Sequence, residues 1–165
     1  IVSIILYGLE SPLSDFSLED INDNSPTFGE MVGPFLYESE VSCYYFGKAG
    51  WGLCRHRFGV LNELYLDLQN EGITDINIIG INGYQYIDDN YQSMISGKVL
   101  PWVQDIPEFD VWGDWDITLR DFVILDRYGN EFARVNLTPM NPDPEYTCGI
   151  NFERLRELII AARNR

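Results

Sequence analysis

The chain has 165 residues, which against roughly 150 residues per domain fits one compact domain and leaves no comfortable room for a second. Hydrophobic residues make up 45% and aromatics 14%, enough for a packed core and against disorder. A formal charge of −15, from 11 basic and 26 acidic residues, repels phosphate backbones and anionic lipid, so neither a nucleic-acid partner nor a membrane surface is expected.

The sequence opens on Ile1 rather than Met, which suits a processed or truncated product; a removed signal peptide is one explanation. The apolar stretch over residues 1–9 is interrupted by Ser3 and is about half the ~20 residues a membrane-spanning helix needs, so no membrane insertion is expected. Residues 10–40 are rich in Ser, Pro, Gly, Asp and Glu. Residues 1–40 therefore read as an irregular N-terminal segment of the same domain that continues over 41–165. Asp20-x-Asn22-x-Asn24 starts like a calcium loop, but Ser25 stands where that loop needs Gly and Met31 where it needs a bidentate Glu.

Residues 41–46, a β-branched and aromatic run closed by Gly47, predict a buried strand. From Cys54 the apolar residues fall at Phe58, Leu61, Tyr65 and Leu68, a helix with one buried face that stops near Gly72. The run over 76–81 is a second buried strand, parallel to the first. Residues 87–97 are a weaker helical candidate. Residues 122–125 and 132–137 flank Asp126-Arg127-Tyr128-Gly129-Asn130 and should pair antiparallel. Phe152, Leu155, Ile159 and Ala162 mark a last helix, with Asn151 as its expected N-cap and Arg163 and Arg165 at its C-terminal end. The order is β-α-β-α, then β-β-α: an α/β fold with a central mixed sheet and helices on both faces.

That order, with a loop between the first strand and its helix, is the thioredoxin arrangement. Phe16-Ser17-Leu18-Glu19-Asp20, Tyr45-Phe46-Gly47 and Cys54-Arg55 resemble the redoxin branch of the thioredoxin-like superfamily. Asn70-Glu71-Gly72-Ile73, Asp110-Val111-Trp112 and residues 121–129 look like the amino-terminal domain of selenoprotein P and its bacterial redoxin relatives. The resemblance spans about residues 15–163. It implies a redox site after the first strand, built as Cys-x-x-Cys or selenocysteine-x-x-Cys, where the helix N-terminus stabilises a thiolate and the second cysteine resolves the mixed disulfide. A protein disulfide or a peroxide is the implied substrate, with no cofactor.

Here the tetrad is Trp51-Gly52-Leu53-Cys54, so the resolving position is filled and the attacking one holds Trp. An indole has no ionisable group that attacks a disulfide, and a genuine Trp51 removes two-thiol exchange. The UGA codon of selenocysteine differs by one base from the UGG of Trp and is read as Trp in some translation tables, which gives position 51 a second explanation. Many thioredoxin-like proteins carry a cis-proline near the place of Leu119 and Arg120, where this chain has none; Pro101 is the other candidate for a structural proline, in either isomer.

Cys54 suits either a reactive thiol or a core position. Cys43, inside the first strand, reads as core, and Cys148 stands free or bridges Cys54. Three scattered cysteines and a single histidine, His56, form no metal-site pattern. His56, Arg55 and Arg57 read as a solvated face, with the two arginines raising the local positive potential. Trp102, Trp112 and Trp115, with Phe109 and Tyr91, are core or line a groove. The acidic residues Asp105, Glu108, Asp110, Asp114 and Asp116 lack a cation-loop pattern. The acidic balance and the sequon Asn136-Leu137-Thr138 suit a periplasmic or extracellular protein. Two functions follow: a thiol or selenol oxidoreductase centred on Trp51 and Cys54, or a redox-inactive binding or structural module in an extracellular assembly.

Overall fold

The computed structural model describes residues 13–165; the apolar stretch at residues 1–9 lies outside the described residues. Two two-residue strands, β1 (Leu18–Glu19) and β2 (Met31–Val32), pair antiparallel ahead of the main sheet. The main sheet has five strands: β3 (Val41–Gly47), β4 (Ile76–Asn82), β5 (Trp102–Gln104), β6 (Asp121–Leu125) and β7 (Glu131–Asn136), in the order β5-β4-β3-β6-β7. β3 pairs parallel to β4 with Val41 opposite Ile76, β4 parallel to β5, and β6 antiparallel to both β3 and β7. The sheet is therefore mixed, with a parallel half made by crossovers and an antiparallel half made by the turn over residues 126–130.

Alternation along β3 divides the core. Val41, Cys43 and Tyr45 face one layer, built with α1 (Gly52–Asn70), α2 (Gln92–Ile95) and the C-terminal helix α4 (Ile150–Arg163). Tyr44 and Phe46 face the other, closed by α3 (Val111–Asp114), Trp115 and, from the N-terminal segment, Phe16, Leu18 and Val32. Helices thus lie on both faces, but the second depends as much on irregular chain as on its single short helix.

The N-terminal segment docks through polar groups. Asp20 and Asn22 are fully buried. The Asp20 carboxylate accepts from the Trp102 and Asn22 amides and the Thr27 hydroxyl, while Asn22 donates to the carbonyls of Lys98 and Leu100 at 2.9 and 2.7 Å. This knot ties the segment to the edge strand β5.

Three local expectations are corrected. The helix expected over 87–97 shrinks to the four residues of α2, because Gly97 at φ +68 turns the chain into the run toward β5. The N-cap of α4 is Gly149, at φ +79, and Asn151 instead buries its amide and donates to the Asn141 carbonyl. Arg57 is buried rather than solvated, with Nε donating to the Leu137 carbonyl at 2.9 Å.

Candidate functional site

The site lies where β3 hands over to α1. Continuous apolar burial carries β3 to Gly47, and the chain then turns through Lys48, Ala49 and Gly50. Ala49 donates its amide to the Asn82 side chain at 3.0 Å, and Gly50 donates to Asp89 at 3.2 Å. These two bonds pin the loop to the end of the neighbouring parallel strand, at Asn82, and to the chain that follows it, at Asp89. Trp51 is the N-cap of α1, in extended conformation, and its side chain is 48% exposed. Lys48 Nζ lies 5.0 Å from the Trp51 ring centre and 4.7 Å from that of Tyr86, so the ammonium is shared between two aromatic faces.

Cys54 occupies the first turn and is fully buried. The Tyr45 hydroxyl donates to the Cys54 carbonyl at 3.3 Å, and burial raises the Tyr45 pKa well above its usual value, so the phenol stays a donor. Arg120, immediately before β6, places Nη1 3.7 Å from Cys54 Sγ. Its backbone is left-handed at φ +71, its amide donates to the Phe46 carbonyl at 2.8 Å, and its carbonyl accepts from Leu137 at 2.9 Å. Leu119 and Arg120 are where the sequence resemblance leads one to expect a cis-proline. Among the described residues no peptide bond is cis, so Pro101 is trans.

The first turn of α1 carries no acidic residue. Arg55, His56 and Arg57 occupy it and the next turn, so side-chain charge adds to the positive end of the helix dipole instead of balancing it. The three residues have different partners. The Arg55 guanidinium lies over Gly52, where an added Cβ would meet it at 3.5 Å. His56 is exposed, as expected of a solvated face, and it reaches Asp143 at 2.8 Å through Nε2 and contacts Arg57 through Nδ1.

The other candidate residues fall elsewhere. Cys43 is buried in β3, where desolvation pushes its thiol pKa far up and keeps it protonated. Cys148 is exposed, and all three cysteines are free thiols, so the bridge from Cys148 to Cys54 is not formed. Trp102 and Trp115 are wholly buried and Trp112 nearly so, which makes them core and not a groove lining; Phe109 and Tyr91 pack half-buried against that core. Asp105 is buried and accepts from the amides of Ile106, Val111 and Trp112. Asp110 accepts from Gly113 as the N-cap of α3. Two members of the acidic stretch thus serve chain turns. Among the described residues no group of three or more His, Cys, Asp or Glu converges as metal ligands.

The sequence reading starts the helix at Cys54 and takes Trp51 as the first residue of the tetrad; in the structure Trp51 is the N-cap and Cys54 lies in the first turn. That reading did not find Arg120, whose approach to Cys54 spans 66 positions along the chain. The missing cis-proline at this place was the only available signal, and it gave no indication of a guanidinium.

No family model matches the sequence, and no curated protein matches it. Solved structures do. A protein of Chlorobium tepidum assigned as the thiol:disulfide interchange protein DsbE superposes with a TM-score of 0.68 at 16% identity, covering 92% of this chain and 95% of its own. A secreted thiol-disulfide isomerase from Corynebacterium glutamicum gives 0.67 at 17%, covering 93% and 86%. The thioredoxin domain of a thiol-disulfide oxidoreductase from Bacteroides vulgatus gives 0.58 at 17%, covering 75% and 85%. At such identities the likeness speaks for architecture, and with the strand order and the loop-to-helix junction at Trp51 it shows that this chain has a thioredoxin-like fold.

Proposed function

We propose that this protein belongs to the thiol or selenol oxidoreductase lineage of the redoxin and selenoprotein P type. Position 51 is the seat of the attacking group and Cys54 the resolving thiol. The observation that carries this reading is positional: residue 51 is the exposed N-cap of a 19-residue helix, and Cys54 lies three residues on, buried within its first turn. A chalcogen at position 51 would be reachable by substrate and stabilised by unpaired backbone N–H groups.

The exchange such a site runs is balanced without any cofactor. A thiolate or selenolate at position 51 attacks one sulfur of a protein disulfide; the substrate S–S bond breaks and one substrate thiolate leaves. Cys54 then attacks the atom at position 51 and expels the second substrate thiolate, leaving a 51–54 bond that two external thiols of the glutathione class reduce in turn, themselves leaving as a disulfide. With indole at position 51 neither step begins. The sequence as written is therefore arrested at its first residue, and only monothiol chemistry at Cys54 remains to it.

Two measurements test the proposal. The intact mass of the natural protein distinguishes Trp from Cys or selenocysteine at position 51. The Trp51→Cys variant is expected to form a 51–54 disulfide and to reduce a disulfide substrate with turnover, which the Trp51 chain does not. A Trp51→Cys protein that folds but forms no such bond sinks the reading.

A second reading has its own support: Cys54 is fully buried, while Trp51 and Leu53 present apolar surface on either side of Gly52. It makes the protein a redox-inactive binding or structural module, with partners in an extracellular assembly. An alkylation assay with and without peroxide separates the two, since Cys54 in such a module stays unreactive.

We propose further that residues 1–40 and 41–165 form one domain, supported by the contacts of Asp20 and Asn22 with residues 98–102. The acidic charge and the sequon support an exported, periplasmic or extracellular protein. The likeness to an isomerase described as secreted is consistent with this, and no described helix is long and apolar enough to cross a membrane.

A further inference from the structure

Arg120 combines three features that packing alone does not explain. It is a non-glycine residue in left-handed backbone, a conformation that costs free energy unless the surroundings fix it. The residue is half-buried, yet none of the ion pairs among the described residues takes up its guanidinium, although acidic residues outnumber basic ones 26 to 11. It is aimed at sulfur, with Nη1 3.7 Å from Cys54 Sγ and Nε anchored on the Thr138 hydroxyl at 2.7 Å.

The other groups facing Cys54 add to the same field. Arg57 is buried on the same helix without a carboxylate within ion-pair distance among the described residues, and the Tyr45 hydroxyl donates to the Cys54 backbone. The positive end of the α1 dipole points the same way. Two guanidiniums and a helix N-terminus thus converge on this side of Cys54; the Asp143 carboxylate acts on Arg57 from beyond His56, to which it is paired, and among the described residues no carboxylate forms an ion pair with Arg57 or Arg120.

We propose that Arg120 is a positioning residue that stabilises the negative charge Cys54 Sγ carries as it attacks or departs during exchange at the 51–54 site. The inference rests on the reading of residues 51–54 given above. In the resolving step Cys54 attacks as a thiolate, and when the 51–54 bond is reduced by an external thiol Cys54 departs as one. Arg120 stabilises that anion in both. The reduced state is favoured relative to the 51–54 bond, so the site is a stronger oxidant than it would be without the arginine.

The test uses the Trp51→Cys chain equilibrated with glutathione buffers, alone and with Arg120→Met or Arg120→Lys. All three residues carry a Cβ, so the left-handed backbone is equally disfavoured and the side-chain head is what changes. Arg120→Met is expected to move the equilibrium about tenfold toward the 51–54 disulfide, the size of effect a hydrogen bond to a charged group supports. Arg120→Lys is expected to recover most of that shift. A merely structural arginine would leave the equilibrium alone, and no change, or a change toward the dithiol, overturns the proposal.

If Trp51→Cys forms no disulfide, the exchange-site reading fails by itself. Arg120 is then judged on the Trp51 chain carrying Cys43→Ala and Cys148→Ser. There iodoacetamide labelling of Cys54 at pH 8 should slow several-fold in Arg120→Met and recover in Arg120→Lys. Unchanged labelling, or faster labelling from a loosened site, rejects the role.

Discussion

Gly80 sits in the middle of β4, opposite Tyr45 of β3 and Trp102 of β5. A Cβ built there would lie 2.2 Å from Cε3 of Trp102 and 2.7 Å from Cε2 of Phe58. The Trp102 and Phe58 rings stack edge to face with centres 5.0 Å apart, so neither has free volume to retreat into. Gly80→Ala is expected to destabilise the protein by about 3 kcal/mol, the upper part of the range for overpacked cores. The denaturant midpoint measures it, and a cost below about 1 kcal/mol would show that the rings can yield. The same packing explains why Trp102 offers nothing to a ligand. Its indole fills the space that a glycine leaves over the strand.

Among elements, what could be read from the sequence and what could not divide by the range of the interactions. β3 and β4 were legible because strands buried on both faces write themselves as unbroken apolar runs, and α1 because Cys54, Phe58, Leu61 and Leu68 share one face. The β6–β7 pair was legible from its turn residues. The N-terminal segment was not, because its order comes from Asp20 and Asn22 bonding to residues about 76–82 positions away. No local pattern carries such contacts. Near the start of α1, the place of Cys54 in the first turn was legible from the apolar stride of the helix, while Arg57 hid behind the ordinary expectation that arginines on a helix face water.

The knot around Asn22 makes its own prediction. Asn22→Ala leaves the Lys98 and Leu100 carbonyls without this donor at the edge of a packed core, a cost of about 1–3 kcal/mol. Amide exchange should accelerate first at Asp20, Ile21 and Gly29, whose N–H groups bond within or from this segment, while β3 and β4 keep their protection. Equal acceleration across the central strands would mean that the segment and the sheet unfold as one unit.

A second inter-element tie is acid-sensitive. Asp75, between α1 and β4, accepts from Arg127 at 2.5 Å and from Arg163 at 2.6 Å, joining the β6–β7 turn and the end of α4. Burial by itself would raise the Asp75 pKa, but the Arg163 hydrogen bond, its own backbone and the charges of both arginines outweigh that and lower it. A carboxylate whose folded pKa is depressed contributes stability that is complete above its unfolded value of about 3.9 and is lost as the pH falls through the folded value. Asp75→Asn should therefore be less stable than the parent at pH 7, and the gap should narrow progressively as the pH falls below the unfolded value toward the depressed folded one. Thermal melts at pH 7 and pH 2.5 check both halves; a gap that does not narrow in acid would assign the loss to packing instead of charge.

At the scale of the whole molecule the dominant electrostatic fact is the charge of −15. Two like charges 20 Å apart in water repel by only about 0.2 kcal/mol, but many such pairs are crowded together on a small folded chain and spread apart on unfolding. The cations reduce this unevenly. Arg127, Arg134, Arg156, Arg163 and Arg165 each sit beside a carboxylate, whereas Lys48, Arg55 and Arg120 gather near the start of α1. The surface away from the site therefore carries the unrelieved negative charge. Raising ionic strength from about 0.01 to 0.15 M shortens the screening length from roughly 30 to 8 Å and removes most long-range repulsion while sparing the partly buried pairs. The melting temperature is expected to rise by about 4 °C, corresponding to roughly 1–2 kcal/mol for a domain of this size. A fall with added salt would mean that the surface ion pairs contribute more than net repulsion costs, and would locate the stabilising electrostatics in the arginine pairs around Asp75, Glu71 and Glu131.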